Sequence, residues 1–122
     1  MTKLAHQIVS QTDQVVTMVS ASASGDTFDN IPGTFVYIEN GDAFIRTITI
    51  EPSESSISGN KSGGMLVADI DLDVPAFSGG VRGKLLFAVP SIYQNAKGVV
   101  EMTYSDESGL IVGVARVDQN QL

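Results

Sequence analysis

Cysteine and tryptophan are absent from this chain, and histidine occurs once, at His6. Without thiols there is no disulfide and no thiolate metal site, and cysteine usage says nothing about the redox compartment. A single imidazole excludes a three-histidine zinc centre. A Ser-His-Asp triad would have to rest on a residue close to the start of the chain, so His6 reads as an exposed side chain of an N-terminal arm. Basic residues are scarce as well: 7 Lys and Arg against 14 Asp and Glu leave a net charge of -7. They are spaced singly, whereas a phosphate backbone is held by clustered cations that release its counterions, so no nucleic-acid partner is expected. The longest apolar runs, such as LLFAV at Leu85–Val89, fall far short of the ~18 residues a membrane helix requires. The opening MTKLAHQIVSQTDQ lacks the apolar stretch of a secretory signal. These absences predict a soluble, unprocessed protein with no membrane partner and no cofactor.

What the chain does have is the alternation of β-strands. With 122 residues, 43% of them hydrophobic and 17% charged, it is long enough to bury a core as one domain without a staple. In VADIDLDV, Ala68, Ile70, Leu72 and Val74 alternate with Asp69, Asp71 and Asp73, so one face meets a core and the other meets water. AFIRTITIEP alternates too, with Phe44, Ile48 and Ile50 on one face beside Arg46, and Pro52 ends it. FVYIEN before it, followed by Gly41-Asp42, reads as its hairpin partner. QIVSQ, QVVTMVSA, VRGKLLFAV, VVEMTYS and LIVGVARV complete the set, separated by the Gly, Ser, Asn and Pro clusters SGDTFDNIPG, PSESSISGNKSGG, PAFSGG, QNAKG and SDESG. The expected fold is all-β: a single-domain antiparallel β-sandwich, jelly-roll-like, of roughly seven to eight short strands. Residues 1–24 form an N-terminal arm with the first strands, and 25–122 form the sandwich. PSIYQNAK can make at most one helical turn, closed by Gly98 in a left-handed cap. The Ser-rich PSESSISGNKSGG reads as a mobile loop.

Little in this pattern carries chemistry. Asp69, Asp71 and Asp73 are the weak candidates for a metal, but an EF-hand needs Gly and Glu where Val74 and Gly80 stand. On a strand the three carboxylates repeat every ~7 Å, too far apart to share one ion, and a charged strand edge is the better reading. Glu101, Asp106 and Glu107 are the carboxylates available for glycoside hydrolysis, yet Asp106 and Glu107 fall in a short hairpin loop where acids are ordinary turn formers. GNKSGG lacks the order of a phosphate loop. No catalytic residue is expected. Apolar residues in loops remain: Phe28, Ile31, Ile57 and Phe77, with Leu4, Ile8 and Val9 in the arm. They either plug the ends of the sandwich or anchor it to another protein. Leu4, Ile8, Phe28, Ile31 and Phe77 are the candidate interface.

Phe87–Val117, FAVPSIYQNAKGVVEMTYSDESGLIVGVARV, resembles the C-terminal half of a group of small β-rich proteins encoded among the virion genes of tailed bacteriophages. The matching positions are Pro90, Tyr93, Asn95, Gly98, Thr103-Tyr104-Ser105 and Val114-Ala115-Arg116-Val117. Upstream, Gly25 to Phe28, Asn40 and the Thr-Ile repeat before Pro52 resemble the same group's opening. The likeness covers most of Gly25–Val117 and leaves the first 24 residues and DQNQL unmatched; this arm is longer than the group's pattern. The resemblance implies a non-enzymatic virion structural protein, a capsid decoration or cement protein. It would be made in the host cytoplasm and bound to the major capsid protein on the capsid surface, as a homo-oligomer with a trimer favoured. The runner-up is a carbohydrate- or host-surface-binding module on a virion or tail that would use Tyr37, Tyr93 or Tyr104 with the aspartate strand of Asp69, Asp71 and Asp73.

Overall fold

The computed structural model describes residues 1–9, 16–52, 56–57, 65–66 and 68–117, with the short pair 56–57 and 65–66 and the final Val117 described by backbone alone. Its strands are β1 (Thr2–Lys3), β2 (His6–Val9), β3 (Val19–Ser20), β4 (Asp26–Asp29), β5 (Thr34–Asn40), β6 (Arg46–Ile50), β7 (Ser56–Ile57), β8 (Met65–Leu66), β9 (Ile70–Val74), β10 (Gly83–Phe87), β11 (Val99–Tyr104) and β12 (Leu110–Val117). The only helical element among the described residues is a 3-10 turn at Ser91–Tyr93. Among them no helix is long and apolar enough to cross a membrane.

Two sheets make the sandwich. The first runs β1-β4-β11-β6-β9 and the second β10-β5-β12-β2, with β3 also on β12; β7 and β8 pair separately. The chain changes sheet at nearly every step from β4 to β12, so layers of β4-β11-β6-β9 and β10-β5-β12-β2 wind as a jelly roll. The all-β sandwich expected from the alternation is therefore present, with more and shorter strands. Two pairings depart from antiparallel: β1 lies parallel to β4, and β2 parallel to β12. Of residues 1–24, read as an arm with the first strands, the described ones supply strands to both sheets: β1 to the first, β2 and β3 to the second.

Period-two alternation explains the core. Val36 and Ile38 of β5, Ile48 and Ile50 of β6, Val100 and Met102 of β11, and Val112 and Val114 of β12 are fully buried between the layers. Burying each such side chain contributes about 1.5–3 kcal/mol. Phe28 and Leu4 belong to the same core, which corrects their assignment to an external interface. Phe28 sits in β4, a strand inside the segment read as a loop, and its inward parity is shared with the buried Asp26. Leu4 is drawn in because β1 and β2 flank it and its N–H donates to the Thr27 carbonyl at 2.8 Å. His6 is half-buried, not an exposed arm residue, and its Nε2 hydrogen-bonds the Asp29 carbonyl.

Three further expectations are corrected. β5 and β6 form no hairpin: they lie in opposite sheets, so Gly41-Asp42 turns the chain across the sandwich. β11 and β12 are likewise joined by an arch, not a hairpin. Gly98, at a φ of +79°, does not cap the helical turn; its N–H donates to the Asn95 carbonyl in a separate turn leading into β11. Of the Ser-rich loop, β7 and β8 are described, while 53–55 and 58–64 lie outside the described residues, as do Gln14-Val15, the DQNQL tail and the Ile57 side chain.

Candidate functional site

Three arches meet at one end of the sandwich: 41–45 between β5 and β6, 75–82 between β9 and β10, and 105–109 between β11 and β12. Register places them together, since Asn40 pairs with both Gly83 and Leu110, and Arg46 pairs with Val74. The buried Asn40 closes the first arch, its Nδ2 donating to the Phe44 carbonyl at 2.8 Å and its Oδ1 accepting from the Asp42 N–H at 2.9 Å. Such a side-chain-closed turn is the ordinary chemistry of Asn. Asp42 then joins all three arches. Its Oδ2 lies 2.9 Å from Arg46 Nη2, its carbonyl accepts from the Phe77 N–H at 2.8 Å, and its backbone packs under Gly109.

Gly109 is required there. Its φ is +81°, and a Cβ at that position would lie 2.8 Å from Asp42 Cβ and 3.0 Å from Asp42 N. The neighbouring Gly41 N–H donates to the Gly109 carbonyl at 2.8 Å. Arg46, little exposed along its side chain, also reaches Asp106 Oδ2 at 3.6 Å and donates from Nε to the Ser108 carbonyl at 3.4 Å. Hydrogen bonds from Ser108 first, and the Arg46 charge after them, hold the Asp106 carboxyl below its usual range. The guanidinium stands 5.9 Å from the centre of the Phe44 ring.

On this frame stand four exposed apolar side chains: Phe44 is 69% exposed, Ile45 60%, Val81 60% and Phe77 41%. Side chains held out by a fixed backbone lose little freedom on binding, which is the condition for an interface anchor. Phe77 alone of these was expected. Alternation placed Phe44 in the core with Ile48 and Ile50, but that face also contains Arg46, and the charge was the signal that the buried stripe starts only at Ile48. Ile8 and Ile31 are exposed as expected, but at the opposite end, near Thr34 and Arg116. The five candidates are therefore split between the core and the two ends.

The remaining chemical candidates do not converge. Asp73 Oδ1 accepts from Thr47 Oγ1 and Asp71 Oδ1 from Thr49 Oγ1, each at 2.8 Å, along the edge strand β9, and Asp69 precedes that strand. Among the described residues no three His, Cys, Asp or Glu side chains gather as a ligand set. Glu101 lies on the outer face of the first sheet and Asp106 in the arch, so they make no catalytic pair. The three tyrosines also separate. Tyr104 donates to the buried Asp26 at 2.7 Å, Tyr37 lies on the outer face of the second sheet, and Tyr93 donates to the Ala68 carbonyl at 2.8 Å. Tyr93 borders an open depression of about 330 Å³ with Glu51, Asn95, Glu101 and Thr103. No protein-family model, curated protein or solved structure matches the chain.

Proposed function

We propose that this chain is a non-enzymatic virion structural protein, a decoration or cement protein on the outer surface of a tailed-phage capsid. It binds the major capsid protein through the rim of Phe44, Ile45, Phe77 and Val81 and stabilises the shell. The observation that carries the reading is this rim: four exposed apolar side chains on two of the three arches that are tied through Asp42 and Arg46. The sequence resemblance over Gly25–Val117 supports the choice of partner. Many copies, each with a modest contact, clamp neighbouring shell subunits and so stabilise the lattice by binding its assembled form.

Co-sedimentation with undecorated capsids tests it. The wild-type protein should pellet with the shells and raise their resistance to heat and chelator. Phe44→Ser with Ile45→Ser, at exposed positions that leave the fold intact, should weaken binding at least about tenfold. A wild-type protein left in the supernatant, or a double variant that binds undiminished, overturns the proposal. The runner-up, a carbohydrate- or host-surface-binding module, has the Tyr93 depression in its favour, an open hollow of mixed polar and apolar lining with one aromatic wall. A glycan array with and without calcium separates the two, a defined saccharide preference abolished by Tyr93→Ala favouring the second.

A further inference from the structure

The two outward faces of the sandwich differ sharply in charge. On the first sheet the outward positions are Thr27, Asp29, Thr47, Thr49, Asp71, Asp73, Glu101 and Thr103. Among the described residues only Asp29 of these carboxylates meets a cation, Lys3 at 3.2 Å. On the second sheet the outward positions of β5 and β10 are Phe35, Tyr37, Glu39, Lys84 and Leu86. Leu86 is 62% exposed and lies in register with Tyr37. Phe35 continues the apolar strip into a depression of about 480 Å³ shared with Ile31, Pro32 and Ala88. Lys84 and Glu39 sit directly opposite each other in register, yet among the described residues neither forms an ion pair.

We infer that the outer face of β5 and β10 is where a second copy of this chain docks, face to face across a two-fold axis. Charge selects both the occupant and the face. Copies of a chain with a net charge of -7 repel one another most strongly where their carboxylates face each other, and this strip carries one acid and one base. An isologous contact also lets residue i meet residue j twice. With the axis running along the strands between β5 and β10, Lys84 of one copy then reaches Glu39 of the other, and Glu39 reaches Lys84, side by side at one end of an apolar strip made of Leu86 and Tyr37. The face has what self-association needs: an apolar strip and a pair of opposite charges that form no ion pair among the described residues. It is distinct from the rim and stands whether or not the rim binds a shell.

Sedimentation velocity of the full chain over about 1 to 500 µM tests it, association appearing as a concentration-dependent rise in mass. The expected product is a dimer. Leu86→Glu, at an exposed site, should weaken it at least about tenfold. Lys84→Glu and Glu39→Lys should each weaken it alone, and an equimolar mixture of the two single variants should restore it, because each copy then meets opposite charges across the contact, an outcome that in-chain effects between these cross-strand neighbours do not produce. Phe44→Ser with Ile45→Ser should leave the mass unchanged. A monomer throughout the range, a trimer, or a dimer indifferent to Leu86→Glu overturns the inference. A monomer that still binds capsids overturns it while leaving the decoration proposal intact.

Discussion

Asp26 is completely buried, and two donors on one of its oxygens keep a carboxyl there. Its Oδ2 accepts from Tyr104 Oη at 2.7 Å and from the Ser22 N–H at 3.1 Å, while Oδ1 has no partner among the described residues. A buried acceptor stripped of a partner costs about 1–3 kcal/mol. Tyr104→Phe should therefore lower the stability by that amount, as a shift of the urea midpoint at unchanged slope. The same pair sets an alkaline response. Burial, and then the hydrogen bond and charge of Asp26, push the Tyr104 hydroxyl well above its ordinary value of 10.0. Its neutral form is thus favoured by folding. That contribution is complete below the ordinary value and is lost as pH rises beyond it, because the unfolded chain then releases a proton that the folded chain retains. Between about pH 10 and 12 the wild-type protein should lose stability more steeply than Tyr104→Phe, and parallel curves in a pH series of urea melts would rule this out.

At the level of elements, the arches decide more than the strands do. The arch between β11 and β12 is held by Gly109, whose left-handed backbone and contact with Asp42 leave no room for a side chain. Gly109→Ala should cost about 1–3 kcal/mol and free the Asp42–Arg46 tie. Hydrogen exchange at the Phe77 and Gly41 amides, both bonded within this knot, should then accelerate more than at the Val112 amide in the core. Equal acceleration at all three would mean that the arches open only with the whole fold. The strands themselves were legible. Val36 and Ile38, Ile70 and Leu72, Val100 and Met102 follow period two, and that period is a direct record of two-faced burial. What period two does not record is which strand lies alongside. Asn40-Gly41-Asp42 marks a reversal equally well for a hairpin and for a crossing between layers about 10 Å apart. The parallel seating of β1 and β2 leaves no local mark, which is why Leu4 and His6 were read as an arm. β4 was missed because four residues, DTFD, between Gly25 and the Asn30-Ile31-Pro32-Gly33 turn, offer too short a run to show any period.

For the whole molecule, if the rim seats on a shell and the side face pairs copies as proposed, the consequence of two apolar surfaces on different sides is cooperativity. The rim lies at the end of the sandwich where β5 finishes, and the β5–β10 face runs along its side. A copy seated on a shell by its rim therefore still presents Leu86 and Tyr37 to a neighbour. The first contact converts the second into an encounter at millimolar effective concentration, where a dimer too weak to persist in dilute solution forms readily. The acidic first-sheet face takes no part in either contact. On the proposed reading it would stay in water and repel other decorated particles, as a dense negative surface does. Decoration of capsids by the wild-type protein should thus follow a sigmoidal isotherm with a Hill coefficient above 1, and its half-saturation should lie at lower concentration than that of a single site. Leu86→Glu should bind to the same final occupancy along a hyperbola shifted to about ten- to a hundredfold higher concentration, since it retains the rim and loses only the neighbour. A hyperbolic wild-type isotherm superimposable on that of Leu86→Glu would show that copies fill the shell independently, and that the side face takes no part in assembly.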